Sequence, residues 1–197
     1  GGAAYGRTPG EGCRNDKDGI EYAVRVGADM QQGKFVYGVV LEAGKSQARD
    51  SVTAYSTTPA FYTLTRKIDY QGGARLRAGY APGNILFYAT GGLAYAKLKN
   101  SFSTSNTANS FSDNGKTNGW GWSAGGGTEV KLAKNFSIGA EYLYSRLKDN
   151  DYTVGVNPGT APATNPFLLV NAAGTDMRRT DPRFDMHNIR LTAAIRF

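Results

Sequence analysis

The chain has 197 residues, a net charge of +7 and a mean hydropathy of -0.43. This length favours a single domain over residues 1–197, no run is apolar enough for a transmembrane helix, and the one cysteine, Cys13, excludes an internal disulfide. The basic excess comes with no basic helix or aromatic–basic platform, so nucleic acid is not the expected partner.

Taken in chain order, the elements show period-two alternation rather than helical spacing. Residues 1–7, with Tyr5 on the apolar side, read as the remnant of a first strand. It is shorter than the roughly 9–11 residues a spanning strand needs, so this strand is read as truncated or short. Residues 19–30 place Ile20, Tyr22, Val24, Val26, Ala28 and Met30 on one face. Residues 35–43 do the same with Phe35, Tyr37, Val39 and Leu41, and residues 68–80 with Ile68, Tyr70, Ala74, Leu76, Ala78 and Tyr80. Ile85, Phe87, Ala89, Leu93 and Tyr95 follow, although Leu86 and Tyr88 blur that face. Trp120, Trp122, Ala124, Val130 and Leu132 line the next strand, then Phe136, Ile138, Ala140, Tyr142 and Tyr144, and finally Ile189, Leu191, Ala193, Ile195 and Phe197.

Connections alternate in length. Residues 31–34, 81–83 and 133–135 are tight turns, whereas 8–18, 46–67, 101–116 and 150–183 are long. Short turns at one end and long loops at the other are the layout of an all-β, eight-stranded antiparallel up-and-down transmembrane β-barrel, with periplasmic turns and extracellular loops.

A soluble barrel would show the same alternation with its apolar face inward. Charge separates the two arrangements. The polar face carries Glu21, Asp29, Glu42, Asp69, Glu129 and Glu141 against Arg25, Arg75, Arg77, Lys131, Arg190 and Arg196. Acids and bases match one for one, as a narrow lumen requires, because buried charge must be paired. The net charge of +7 therefore lies elsewhere. Aromatics also collect in two zones, Phe35, Tyr80, Phe136 and Phe197 at the turn end and Tyr22, Tyr95, Trp120, Trp122 and Tyr144 at the loop end, as two membrane interfaces require.

The stretches GGARLRAGYAPGNILFYATGGLAYA at 72–96, GWSAGGGTEVKLAKNFSIGAEYLYSRL at 121–147 and FDMHNIRLTAAIRF at 184–197 resemble the small porin-like outer-membrane β-barrel family of Gram-negative bacteria, with the eight-stranded architecture of the OmpA type. The resemblance implies integral residence in the bacterial outer membrane. It also implies that the terminal aromatic, Phe197, is the signal read by the outer-membrane assembly machinery. It leaves the biochemical role open.

No enzyme, metal or cofactor motif accompanies this pattern. His187 is the sole histidine, and no HExxH or CxxC occurs. The Gly-rich run at 125–127 lies within a strand and leads into no helix, which argues against a phosphate loop. Asp185 and His187 share a face and would need a serine to form a nucleophilic site. Two functional readings follow. One is a structural, surface-interacting barrel with a lumen filled by charged side chains. The other is a low-conductance porin for small solutes, against which stands the narrow interior of eight strands.

Two surface features carry expectations. Lys45, Arg66, Lys97, Lys99, Arg146 and Lys148 continue the outward series just past the apolar band, as solvated charge or as a belt contacting lipopolysaccharide phosphates. The loop 150–183 holds an apolar run, Phe167, Leu168, Leu169 and Val170. This run is expected either to pack on Phe61 and Tyr62 as a cap or to form a patch for a protein partner or a second copy, rimmed by Arg178, Arg179 and Arg183.

Overall fold

The computed structural model describes residues 19–56, 60–149 and 151–196. Its strands in chain order are β1 (Glu21–Gln32), β2 (Phe35–Ser46), β3 (Arg49–Tyr55), β4 (Phe61–Tyr80), β5 (Ile85–Thr104), β6 (Ser110–Asp113), β7 (Lys116–Ala133), β8 (Phe136–Lys148), β9 (Val154–Asn157), β10 (Thr175–Met177) and β11 (Arg183–Ile195). The main sheet runs β1-β2-β4-β5-β7-β8-β11, every pair antiparallel and each strand beside its sequence neighbour. β3 prolongs β2 along the same side of β4. The expected first strand at 1–7, Cys13 and Phe197 lie outside the described residues.

Alternation dictates the two faces. On β2 the outward Phe35, Tyr37, Val39 and Leu41 are exposed, while the intervening Val36 and Val40 are buried. The exposed aromatics pair across strands: Phe35 meets Tyr80 edge-on at 5.7 Å, Tyr95 meets Trp120 at 4.7 Å and Trp122 meets Tyr144 at 5.3 Å. The first hairpin turns on Gly33, whose φ of 61° suits a two-residue turn matched to the strand twist.

β1 and β11 are the two edges of the sheet among the described residues. The sheet curls far enough for the interior faces of these edge strands to meet, since Arg190 of β11 forms an ion pair with Glu21 of β1.

Three features differ from the alternation read off the sequence. First, the pairing of β4 with β5 slips between Ile68 and Tyr70. One extra residue in a strand exchanges its faces. Ile68, expected outward, is therefore buried at 1% exposure and packs inside against Leu98, Leu147 and Met186. Second, much of the expected loops 46–67 and 101–116 is strand. The whole of β3, the first part of β4 and the ends of β5 and β7 extend the barrel wall beyond the apolar band, because Thr, Ser and aromatic pairs continue the ladder there. Third, β10, β9 and β6 form a separate three-stranded sheet over the loop end.

Candidate functional site

The interior is layered, and each layer is built by inward positions of several strands. Midway, Arg25, Arg75 and Arg190 surround Glu42 and Glu141. Arg190 lies 2.7 Å and Arg75 3.0 Å from Glu42, Arg25 lies 3.1 Å from Glu141, and the Tyr88 hydroxyl donates to Glu141 over 3.0 Å. Glu21 joins through Arg190. Small inward residues make room for these long side chains. Arg75 sits opposite Gly92 and Glu141 opposite Gly127, and a Cβ on Gly127 would stand 2.9 Å from the Tyr88 hydroxyl.

A second cluster lies toward the turns. Arg77 bridges Asp29 and Glu129, the latter at 3.2 Å. Arg196 meets Glu129 at 2.5 Å, and Ser137 donates to the same carboxylate. Above the middle cluster, Ile68, Ala96, Leu98, Leu147 and Met186 form an apolar layer. The space left beside Glu42, Arg75 and Arg190 measures about 20 Å³, enough for about one water.

Of the twelve residues expected in a lumen network, the two clusters bring together Glu21, Arg25, Asp29, Glu42, Arg75, Arg77, Glu129, Glu141, Arg190 and Arg196. Asp69 and Lys131 do not join. The bulge turns Asp69 outward, where it meets Lys99 at 2.9 Å. Lys131 is exposed at the turn end, at another slip of register, and no ion pair holds it among the described residues. The apolar layer was missed from sequence. Leu98 and Leu147 fell past the expected ends of their strands, and Ile68 was assigned to the wrong face.

The expected basic belt also changes membership. Lys45, Lys97, Lys99 and Lys148 are exposed as expected, with Lys45 over the Tyr70 ring at 4.7 Å. Arg146 pairs with Asp185 at 2.7 Å. Arg66 is 4% exposed, because the slip at Asp69 places it inward. Its guanidinium lies 2.6 Å from Asp50 and 5.2 Å from the Phe184 ring, and it donates to the carbonyls of Pro182 and Arg183. Arg179 reaches the same Asp50 carboxylate at 2.8 Å. Burial alone would raise the Asp50 carboxyl, but the hydrogen bonds from Arg66 and Arg179 outweigh it and hold the group below the usual carboxylate range. Burial and the neighbouring Arg179 charge in turn lower the pKa of Arg66.

The apolar run of the long loop divides. Phe167 meets Tyr62 edge-on at 5.6 Å, within an aromatic cluster that includes Phe102 and Phe111. Leu168 is buried, whereas Leu169 is 68% and Val170 95% exposed. Phe61, expected beneath the run, is itself exposed. Arg179 and Arg183 are committed to Asp50 and Asp181 rather than to a rim around the patch. Leu168→Ser is therefore expected to lower the local stability of the cap by about 2–5 kcal/mol, read as faster amide exchange across β6 and β9. Val170→Ser is expected to leave exchange unchanged.

Asp185 and His187 face outward and are tied to Arg146 and to the Tyr142 hydroxyl, the latter at 2.6 Å. No serine joins them among the described residues. Likewise, no group of His, Cys, Asp and Glu there is placed to hold a metal ion.

An antiparallel up-and-down sheet with an apolar aromatic-edged exterior, a charged interior and long connections at one end defines an integral β-barrel of the bacterial outer membrane. The chain belongs to the family described as outer membrane protein beta-barrel domain, whose model matches residues 1–197. It is 35% identical over 117 residues to the 31 kDa outer-membrane immunogenic protein of Brucella melitensis, covering 56% of this chain and 48% of that one. It is 33% identical over 129 residues to the 22 kDa outer membrane protein of Rhizobium leguminosarum, covering 66% and 53%. With the 25 kDa outer-membrane immunogenic protein of Brucella abortus the identity is 32% over 126 residues, covering 64% and 51%. The chain thus spans about half the length of these relatives. No solved structure matches.

Proposed function

We propose that this barrel is a structural, non-enzymatic component of the outer membrane whose lumen is closed by side chains and whose work is done by its extracellular surface. The observation that supports closure is the middle ion cluster. Its three arginines and three glutamates come from β1, β2, β4, β8 and β11, so the network reaches across the interior from wall to wall. The adjoining space of about 20 Å³ is too small for a continuous water column, and the apolar layer above it has no groups to hydrate a passing ion. A surface role accords with the built cap of β6, β9 and β10, which is more elaborate than spanning requires. It accords also with the naming of two relatives as immunogenic. The full chain reconstituted in a planar bilayer is expected to give no stable conducting level. Stable, solute-permeable conductance would make the protein a porin and overturn the proposal.

A further inference from the structure

The outward face above the loop-end aromatics carries a row of bases that strand register sets side by side. Arg49 on β3 is the cross-strand partner of Lys67 on β4. Lys67 is the partner of Lys99 on β5, and Lys99 of Lys116 on β7. All four are exposed. Neighbouring strands lie about 4.7–4.9 Å apart, so opposed side chains on one face are nearest neighbours. Like charges placed this way destabilise a sheet. The fold itself gains nothing from such a row, since neutral polar residues would pair better there.

Asp69 is the acid that the structure sets against this row. It hydrogen-bonds Lys99, and that bond, with the charges of Lys99, Lys45 and Lys116, holds its carboxyl below the ordinary range. One carboxylate shared by several bases leaves a net positive strip. The strip has a defined height, immediately above Tyr70, Tyr95 and Trp120, which mark the membrane interface. Below those rings the same strands expose Leu76 and Leu93, an apolar track for acyl chains. A soluble anion would meet only the charges, whereas an anionic lipid meets both the charges and the track.

We propose that Arg49, Lys67, Lys99 and Lys116 form a binding strip for the phosphates of lipid A in the outer leaflet, whose acyl chains lie along β4 and β5. The occupant offsets the repulsion between the bases, and charge-assisted contacts to phosphate are strong. The strip keeps Lys99 from the expected belt, drops Arg66, and adds Arg49, Lys67 and Lys116, which the sequence placed in the loops 46–67 and 101–116.

The full chain, stripped of lipid in an uncharged detergent, would be compared with the variant R49Q/K67Q/K99Q/K116Q by thermal unfolding. Without lipid, the variant is expected to melt no lower than the parent, because repulsion is relieved. Lipid A should raise the parent's melting temperature, with half-saturation at a concentration on the order of tenfold lower than for the variant, from four contacts of modest individual strength. Dephosphorylated lipid A should give neither the shift nor the difference. The variant K34Q/K131Q/K134Q, neutralised at the turn end, should respond as the parent does. Equal half-saturation in parent and strip variant overturns the proposal. So does an equal effect of dephosphorylated lipid A, an equal shift with inorganic phosphate, or an equal loss in the turn-end variant. Should the fourfold variant not fold, K67Q/K99Q is read by the same criteria, with a smaller difference.

Discussion

Replacing Glu42 with Ala is expected to destabilise the barrel by about 3–5 kcal/mol, the cost of leaving buried charge without its partner. Glu42 is the residue for which this is most acute. It accepts from both Arg75 and Arg190 and lies 3.6 Å from Arg25. Its loss leaves three guanidiniums facing Glu141 and Glu21, with Arg75 only 3% exposed to solvent. Glu42→Gln keeps the shape and loses the charge, so it should fall between parent and Glu42→Ala. Removing Glu42 and Arg75 together should cost less than the sum of the two single changes, because the second deletion removes a charge that the first had stranded. Unfolding in urea, followed by the mobility difference between folded and unfolded barrel on a gel, measures the parent and its four variants. Additive losses would mean that the two residues act independently and that the cluster is not a network.

Much of this architecture was legible because a lipid-facing barrel obeys one rule repeatedly. Apolar residues at every second position and charges between them fixed the faces of β1, β2, β5, β7, β8 and β11 from the residues alone. The lumen residues followed from the same parity, since Arg25, Arg75 and Arg190 needed only to be inward to find Glu42 and Glu141. What parity cannot report is a change of parity. At Asp69 nothing in the local residue types marks the extra residue, because Ile68 and Tyr70 are both apolar and either suits an outward position. One unseen bulge therefore misplaced Ile68, Asp69 and Arg66 together. Beyond the apolar band the rule loses its driving force. There the outer face meets water rather than lipid, Thr and Ser serve on either face, and the upward continuation of β4 and β5 looks like loop until cross-strand pairs such as Thr53 with Thr63, at 2.8 Å, are seen. The cap was opaque for a different reason. Phe167 packs on Tyr62, which also meets Phe102 and Phe111 from two further stretches of chain, and sequence spacing carries no record of that meeting.

Asp50→Asn is expected to release the end of the long β8–β11 connection while leaving the membrane-embedded sheet intact. The two arginines converging on Asp50 come from different elements. Arg66 belongs to the wall, and Arg179 to the connection that returns to β11. Asp50 is thus the anion that fastens the loop to the wall, and Arg66 adds two hydrogen bonds to the carbonyls of Pro182 and Arg183. Neutralising the carboxylate leaves two guanidiniums in mutual repulsion, one of them buried. The expected local loss is about 1.5–3 kcal/mol, that of a hydrogen bond to a charged group. It should appear as faster amide exchange at β10 and the start of β11, with no change at β1 or β2. Acid should reproduce the effect in the parent. Because the folded Asp50 carboxyl lies below its ordinary value of 3.8, the latch is at full strength above that value and is lost as pH falls through the lower, folded one. Exchange measured at stepped acidic pH should therefore show the β10 region opening in the parent below that value and already open at neutral pH in Asp50→Asn. Arg179→Gln should open the same region, since it removes the loop's half of the contact while Arg66 keeps its carboxylate. Protection at β10 that is unchanged in both variants would mean that the Asp50 ion pairs do not fasten the loop, which the Tyr62 cluster and the Arg66 bonds to Pro182 and Arg183 then hold.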